Sequence, residues 1–437
     1  MTLPDRSALS RRDYLRALVA VGGASALAAC TSESDEIDVP SGTDDPDSLP
    51  ERQHAWNDAL TRDDDGNVRP PEHHVLVALS LVDEPTDETR AKVESSLQDL
   101  EHAYEWSNEG LLFTLGYTPA YFDRFDESLP DEVDLPEPEA IVGKIDTDLP
   151  ASETSEEKVD PVDPFDEFDA VLHLASDHSQ VVLEAEEGLF GEGEEFNGRE
   201  IETDLTGVFE RVDDRRRTGF VGAGLPADHT DLSGVPDSVP EDAPFFMGFR
   251  SGFAESQATE DRVTIEDGPF AGATTQHVES MTIQLRTWLE QDSHYQRVAK
   301  MFSPEHADED LTGDIGEALG ASNGLTDERI EGTESDARGG VVGHAQKAAR
   351  AREDGNPLLL RRDFNTVDGD TPGLHFLSLQ AGIDEFVRVR EAMEGDDLDA
   401  PNANNGIRSY IFPNQRGNYL IPPRSLRALP PPAPDGA

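Results

Sequence analysis

The chain is 437 residues long, enough for two ordinary domains and flanking segments. Its 92 acidic residues against 35 basic ones leave a net charge of −57, which argues against nucleic acid as a partner, since a polyanion is repelled rather than bound through counterion release. The carboxylates are spread through apolar-patterned segments, and 36% of the residues are hydrophobic. That composition describes a folded protein whose surface suits high salt, not a disordered acidic chain.

In chain order, Ser10-Arg11-Arg12-Asp13-Tyr14-Leu15-Arg16 is a twin-arginine pattern, followed by an apolar run over 17–29 that is too short to anchor in a bilayer. The run ends at Cys30, the only cysteine, in a setting that resembles a lipobox. Residues 1–30 therefore read as a twin-arginine signal peptide. The mature protein is expected to start at Cys30, to be lipidated there and to sit outside the cytoplasm, tethered to the cell membrane. A lone cysteine also excludes intramolecular disulfides. Residues 31–70, rich in Asp, Ser, Pro and Gly, read as a disordered acidic tether.

Order is expected from about residue 71. The patterns predict a strand at 74–81, an amphipathic helix at 86–105 and a strand at 111–117. A short helix follows at 119–125, then a long surface loop at 127–164, a strand at 170–177 and a helix at 178–189. This order suits an α+β, ferredoxin-like unit with an antiparallel sheet over 71–240. A second such unit is expected over 241–425: a strand at 274–285, a helix at 286–302, a strand at 374–379, a helix at 383–393, and a hairpin-like pair at 407–412 and 418–421. Residues 426–437 form a Pro-rich tail. His73 and His74 read as surface sequence at a strand start.

No Cys-x-x-Cys, His-Glu-x-x-His, Walker loop, Gly-x-Ser-x-Gly or Gly-x-Gly-x-x-Gly motif stands in a fitting context. The stretch richest in chemistry is 343–379. His344 lies between Gly343 and Ala345, and seventeen residues later Arg361 and Arg362 follow the apolar run Leu358-Leu359-Leu360. A histidine, a guanidinium on an apolar segment and the strand at Leu374 could line one pocket. By composition alone, His344 is as well read as a packed histidine, and the arginines as salt-bridge residues.

Four segments in order resemble the dye-decolorizing peroxidase family, in particular its exported deferrochelatase-type branch: 111–125, 168–177, Phe245-Phe246-Met247-Gly248-Phe249-Arg250-Ser251-Gly252, and 343–380. The third is similar to the family's Gly-Phe-x-Asp-Gly motif in a degenerate form, and the whole is similar to a haloarchaeal-type exported lipoprotein member. The resemblance implies two ferredoxin-like units of the dimeric α/β-barrel type, a non-covalent haem b (Cys-x-x-Cys-His is absent), hydrogen peroxide and an unidentified reductant as partners, with homo-oligomerisation left open. It implies His344 as the proximal iron ligand, Arg361 as the distal arginine with Arg362 as its alternative, and Leu358, Leu359, Leu374, Phe376 and Leu377 as pocket wall. The family's distal aspartate is here Ser251, a poor acid–base group near neutrality, with Glu255 four residues on as a substitute. The alternatives are a haem-binding lipoprotein with weak or no turnover on the same fold, and a cofactor-free binding or structural lipoprotein. Tyr410 and Tyr419 are available for long-range electron transfer, although core packing is the commoner role of such rings.

Overall fold

Strand β1 (His73–Leu81) is buried along most of its length because both its faces are covered. Val75, Val77, Leu79 and Leu81 pack under helices, whereas Leu76 and Ala78 join a second cluster on the other face. The computed structural model describes residues 37–142 and 164–434. The twin-arginine segment, Cys30, most of the acidic loop and the last three residues lie outside the described residues.

The remaining strands are β2 (Leu112–Tyr117), β3 (Ala170–Ser176), β4 (Glu195–Phe196), β5 (Arg199–Glu200), β6 (Phe209–Arg211), β7 (Arg217–Phe220), β8 (Thr274–Ile283), β9 (Leu360–Arg361), β10 (Phe364–Thr366), β11 (Gly373–Gln380) and β12 (Ile411–Ile421). The helices used below are α1 (Asp87–Ala103), α2 (Ser179–Leu189), α3 (His294–Met301), α4 (His344–Ala349) and α5 (Ile383–Glu394). Helix α1 starts at a capping box in which Thr86 and Thr89 satisfy each other's backbone N–H groups.

In the main sheet the first unit runs β7-β1-β3-β2 and the second β12-β8-β11-β9, all antiparallel. Each places its fourth strand beside its first, its first beside its third and its third beside its second, the β-α-β-β-α-β arrangement expected from the sequence. Two narrow seams join the units. Leu420 of β12 pairs with Tyr117 of β2, and Asn365 of β10 pairs with Phe220 of β7, while β10 also pairs with β11. The ring β7-β1-β3-β2-β12-β8-β11-β10 is therefore closed, with no free edge between the units.

Residues 37–69 are not a loose tether. The Gln53 amide acts as a piece of backbone beside the first seam: its Oε1 accepts from Leu115 N–H at 2.9 Å, and its Nε2 donates to Leu115 O at 3.1 Å and Pro422 O at 2.8 Å. Trp56 is 1% exposed and packs with Leu60, Leu112 and Ala175. The tail from Leu426 is irregular but packed. Tyr117 and Tyr121 hydroxyls donate to Arg427 O and Pro430 O, and Arg427 pairs with Glu94 and Glu101.

In place of the expected hairpin at 407–421, a turn over 407–410 leads into one long strand, Ile411 to Ile421, which pairs with β8 across a bulge at Pro413/Gln415. The expected helix at 286–302 is broken. Ser293 caps a new start with Gln296, leaving a separate turn at Thr287–Gln291 and α3. His74 is not surface sequence. It is 1% exposed, and its Nδ1 lies 3.0 Å from His173 Nε2.

Candidate functional site

Because side chains alternate along a strand, the second unit's strands present one set of residues to the barrel interior and the other to a layer of helices. Val278, Leu377, Leu379 and Phe364 go inward. Glu279, Met281 and Ile283 of β8, with Leu374 and Phe376 of β11, form instead the floor of a cavity of ≈ 220 Å³ roofed by α4, α5 and the loop around residue 250. Arg361 of β9, Asp363 of the link between β9 and β10, and Asn365 of β10 also line it.

His344 is the first residue of α4, and its imidazole borders the cavity. The helix starts hard against the preceding segment: a Cβ on Gly343 would lie 1.8 Å from Phe302 O, so only glycine fits there. Gln346 and Lys347 then fix the helix, the first donating to Arg329 O and Asp336 Oδ2, the second to Asn405 O and Oδ1. Among the described residues the His344 ring has no hydrogen-bond partner. Burial, and then the cations Lys347, Arg361 and Arg390, push its pKa down to about 3. At neutral pH it is an uncharged imidazole with a free lone pair.

The loop carrying Ser251 is held from three sides. Asn365 Oδ1 accepts from Phe246 N–H at 2.9 Å, Trp288 Nε1 donates to Met247 O at 2.8 Å, and Arg250 N–H donates to Ile315 O at 2.7 Å. Ser251 is exposed and lines the cavity. Phe249 and Phe253 are buried in the cavity wall beside it and leave the space open. Glu255 is exposed and is not among the lining residues.

The two adjacent arginines part company. Arg361 lines the cavity, its backbone clasped by the Gln257 side chain at 3.1 and 3.2 Å. Arg362 points to the other face, stacks 4.2 Å over the Trp56 ring, pairs with Glu260 at 3.1 Å and donates to His54 O. It does not reach the cavity. Tyr410 and Tyr419 are likewise buried, at 4% and 0% exposure, and neither offers a surface ring.

Several lining residues were not singled out in the sequence. Asp363 Oδ2 lies 3.6 Å from Arg361 Nη1, and its Oδ1 accepts from Leu377 N–H at 3.2 Å. Burial raises its pKa, with Arg361 opposing. Glu279 is held by Arg390 at 2.8 Å and Arg416 at 2.6 Å. Although burial opposes ionisation, these cations and His277 keep its carboxyl far below the ordinary range. Arg352 has no ion pair or side-chain hydrogen bond among the described residues. The signal for Asp363 was present: strand alternation from Arg361 puts 363 and 365 on its face and 362 opposite. Among the described residues no group of three or more His, Cys, Asp or Glu could hold a metal ion.

Residues 71–423 match the model of a family of unknown function, DUF7405, and the chain belongs to that family. No curated protein matches it. Among solved structures, the chain is similar to a dye-decolorizing protein from Vibrio cholerae at 13% identity and TM-score 0.47, over 85% of this chain and 98% of that one. It is similar to a dye-decolorizing peroxidase from Bacteroides thetaiotaomicron at 14% identity and TM-score 0.46, over 85% and 99%. A DypB variant from Rhodococcus jostii in complex with haem gives 15% identity and TM-score 0.45, over 82% and 96%. Such likenesses assign neither activity nor cofactor to this chain.

Proposed function

We propose that the chain is a haem-dependent peroxidase of the dye-decolorizing type that reduces hydrogen peroxide while oxidising a donor, exported by the twin-arginine route and tethered outside the cell through lipid at Cys30. The observation that carries the reading is the cavity of the second unit, into which His344 and Arg361 both project above the apolar floor of Leu374 and Phe376. The donor set fits haem b. His344 offers a neutral, unpartnered imidazole, the walls are largely apolar, and the guanidiniums of Arg250 and Arg352 match the two carboxylates that haem carries. When bound, haem supplies the electrons for cleaving the O–O bond. Arg361 supplies a fixed positive charge for the departing oxygen, and the apolar walls exclude bulk water.

The test is reconstitution with haem b in high salt. A Soret band in the wild type that shifts or vanishes in His344→Ala supports the reading, and a wild type that takes up no haem overturns it. Ser251 favours a second reading, a haem-binding lipoprotein with no turnover. Haem-loaded protein that fails to oxidise a dye with peroxide selects that second reading.

A further inference from the structure

We propose that Asp363 is the proton-carrying acid–base group of this cavity, doing from β10's end of the wall what Ser251 cannot do from the loop. The inference deepens the haem reading above and rests on it.

Five observations carry it. Among the described residues only two carboxylates line the cavity, Glu279 and Asp363. Glu279 is neutralised by two guanidiniums at 2.6 and 2.8 Å and stays ionised, so it carries no proton. Asp363 is held by one oxygen only: Oδ1 takes the Leu377 N–H, while Oδ2 lies 3.6 Å from Arg361 Nη1, beyond a hydrogen bond, and is free to meet a ligand. Glu255, the substitute that the sequence offers, does not reach the cavity. Finally, Asp363 stands two residues from Arg361 on the same face, so a small molecule at the guanidinium is also within reach of the carboxylate.

The charged or titratable groups that line the cavity with Asp363 are Arg361 of β9, Arg390 of α5, His344 of α4, Arg352, Arg250 of the loop and Glu279 of the floor. Burial raises the Asp363 pKa despite Arg361, which moves the carboxyl toward the pH at which it can both take and return a proton. In peroxide reduction Oδ2 takes the proton from one peroxide oxygen and returns it to the other, which leaves as water when the O–O bond breaks. The carboxylate ends unchanged, and the two electrons are the bound haem's contribution.

The experiment uses the full mature chain loaded with haem b and reads cyanide association by stopped flow from pH 4 to 8, because hydrogen cyanide must give up its proton to a cavity base to bind as the anion. Asp363→Asn, with its Soret band retained, is expected to slow cyanide association by about tenfold or more and to remove its pH dependence. Peroxide turnover should fall by the ~10²–10⁴-fold that a positioned acid–base group contributes. Asp363→Glu should restore part of both, with a displaced pH profile, and Glu255→Gln should change neither. An Asp363→Asn protein that keeps its Soret band and the wild-type cyanide profile overturns the proposal. If Asp363→Asn loses haem, an unshifted profile in Asp363→Glu overturns it instead. A wild type without a Soret band removes the haem reading itself, and this proposal with it, which separates the two failures.

Discussion

The charge cluster beneath the cavity can be perturbed without changing shape. Glu279 is 0% exposed, Arg416 is 1% exposed, and their ion pair spans 2.6 Å from Oε1 to Nε. Arg390 holds the other carboxylate oxygen at 2.8 Å, but it also pairs with Glu394 at 2.7 Å. Glu279→Gln keeps the volume, so no cavity term enters. Arg390 keeps one partner, whereas Arg416 loses its only carboxylate among the described residues. Removing one member of a buried pair costs about 3–5 kcal/mol, chiefly from the charge left behind. In a urea titration at high salt with m of about 3 kcal/mol/M, the midpoint should fall by about 1 M or more at unchanged m. Adding Arg416→Met removes the stranded cation, so the double variant should recover part of the loss, with a coupling of up to about 3 kcal/mol. A Glu279→Gln protein within about 1 kcal/mol of wild type, or strictly additive variants, would refute the reasoning.

Acid stability follows from the buried histidines. Burial lowers His54, His74 and His344 from 6.5 to about 3 and His73 to about 4. The unfolded chain therefore binds more protons than the folded one below pH 6.5, and stability is lost as pH falls from there toward the folded values, at about 1.4 kcal/mol per pH unit for each such histidine. Urea midpoints at pH 7, 6 and 5 should decline steadily, and a flat profile would show that these rings protonate inside the fold. For the proposed anchor, Cys30→Ser should move the protein from the membrane fraction to the medium in its native host, whereas continued membrane association would remove lipidation at Cys30 as the tether.

Both ferredoxin-like units were legible because their long strands carry continuous apolar runs and their helices carry apolar stripes, as in β1 and α1. The second strand of the second unit was not. β9 has two residues and β10 three, too few for a period to show, and they are ordered by pairing with β11 rather than by their own pattern. With the strands unrecognised, the alternation that sets Arg361 and Asp363 on one face and Arg362 on the other was not applied. Residues 37–69 read as a tether because composition cannot reveal docking by single side chains. One amide, Gln53, and one indole, Trp56, supply that docking. The hairpin reading separated 407–412 from 418–421, whereas a bulge at Pro413/Gln415 lets one strand run through the interval.

A chain with so few cations shows by their placement where positive charge is needed. Arg217, Arg416 and Arg427 are each 1–2% exposed, matched to Asp166, Glu279 and Glu101. These pairs lie where solvent ions do not penetrate, so salt that screens the acidic surface leaves them intact. Arginine suits such sites because its charge survives burial and its planar fork meets a carboxylate squarely. The cavity departs from this matching. Arg250, Arg352 and Arg361 line it. Among the described residues, Arg361 has only the 3.6 Å contact with Asp363 as an ion pair, and Arg352 faces Asp327 without a close ion pair. In a protein of net charge −57, carboxylates to neutralise them were abundant, yet the described lining holds only Asp363 and the already committed Glu279. Positive charge without a close carboxylate at the edge of an apolar pocket favours an anionic group on a largely apolar body as its complement.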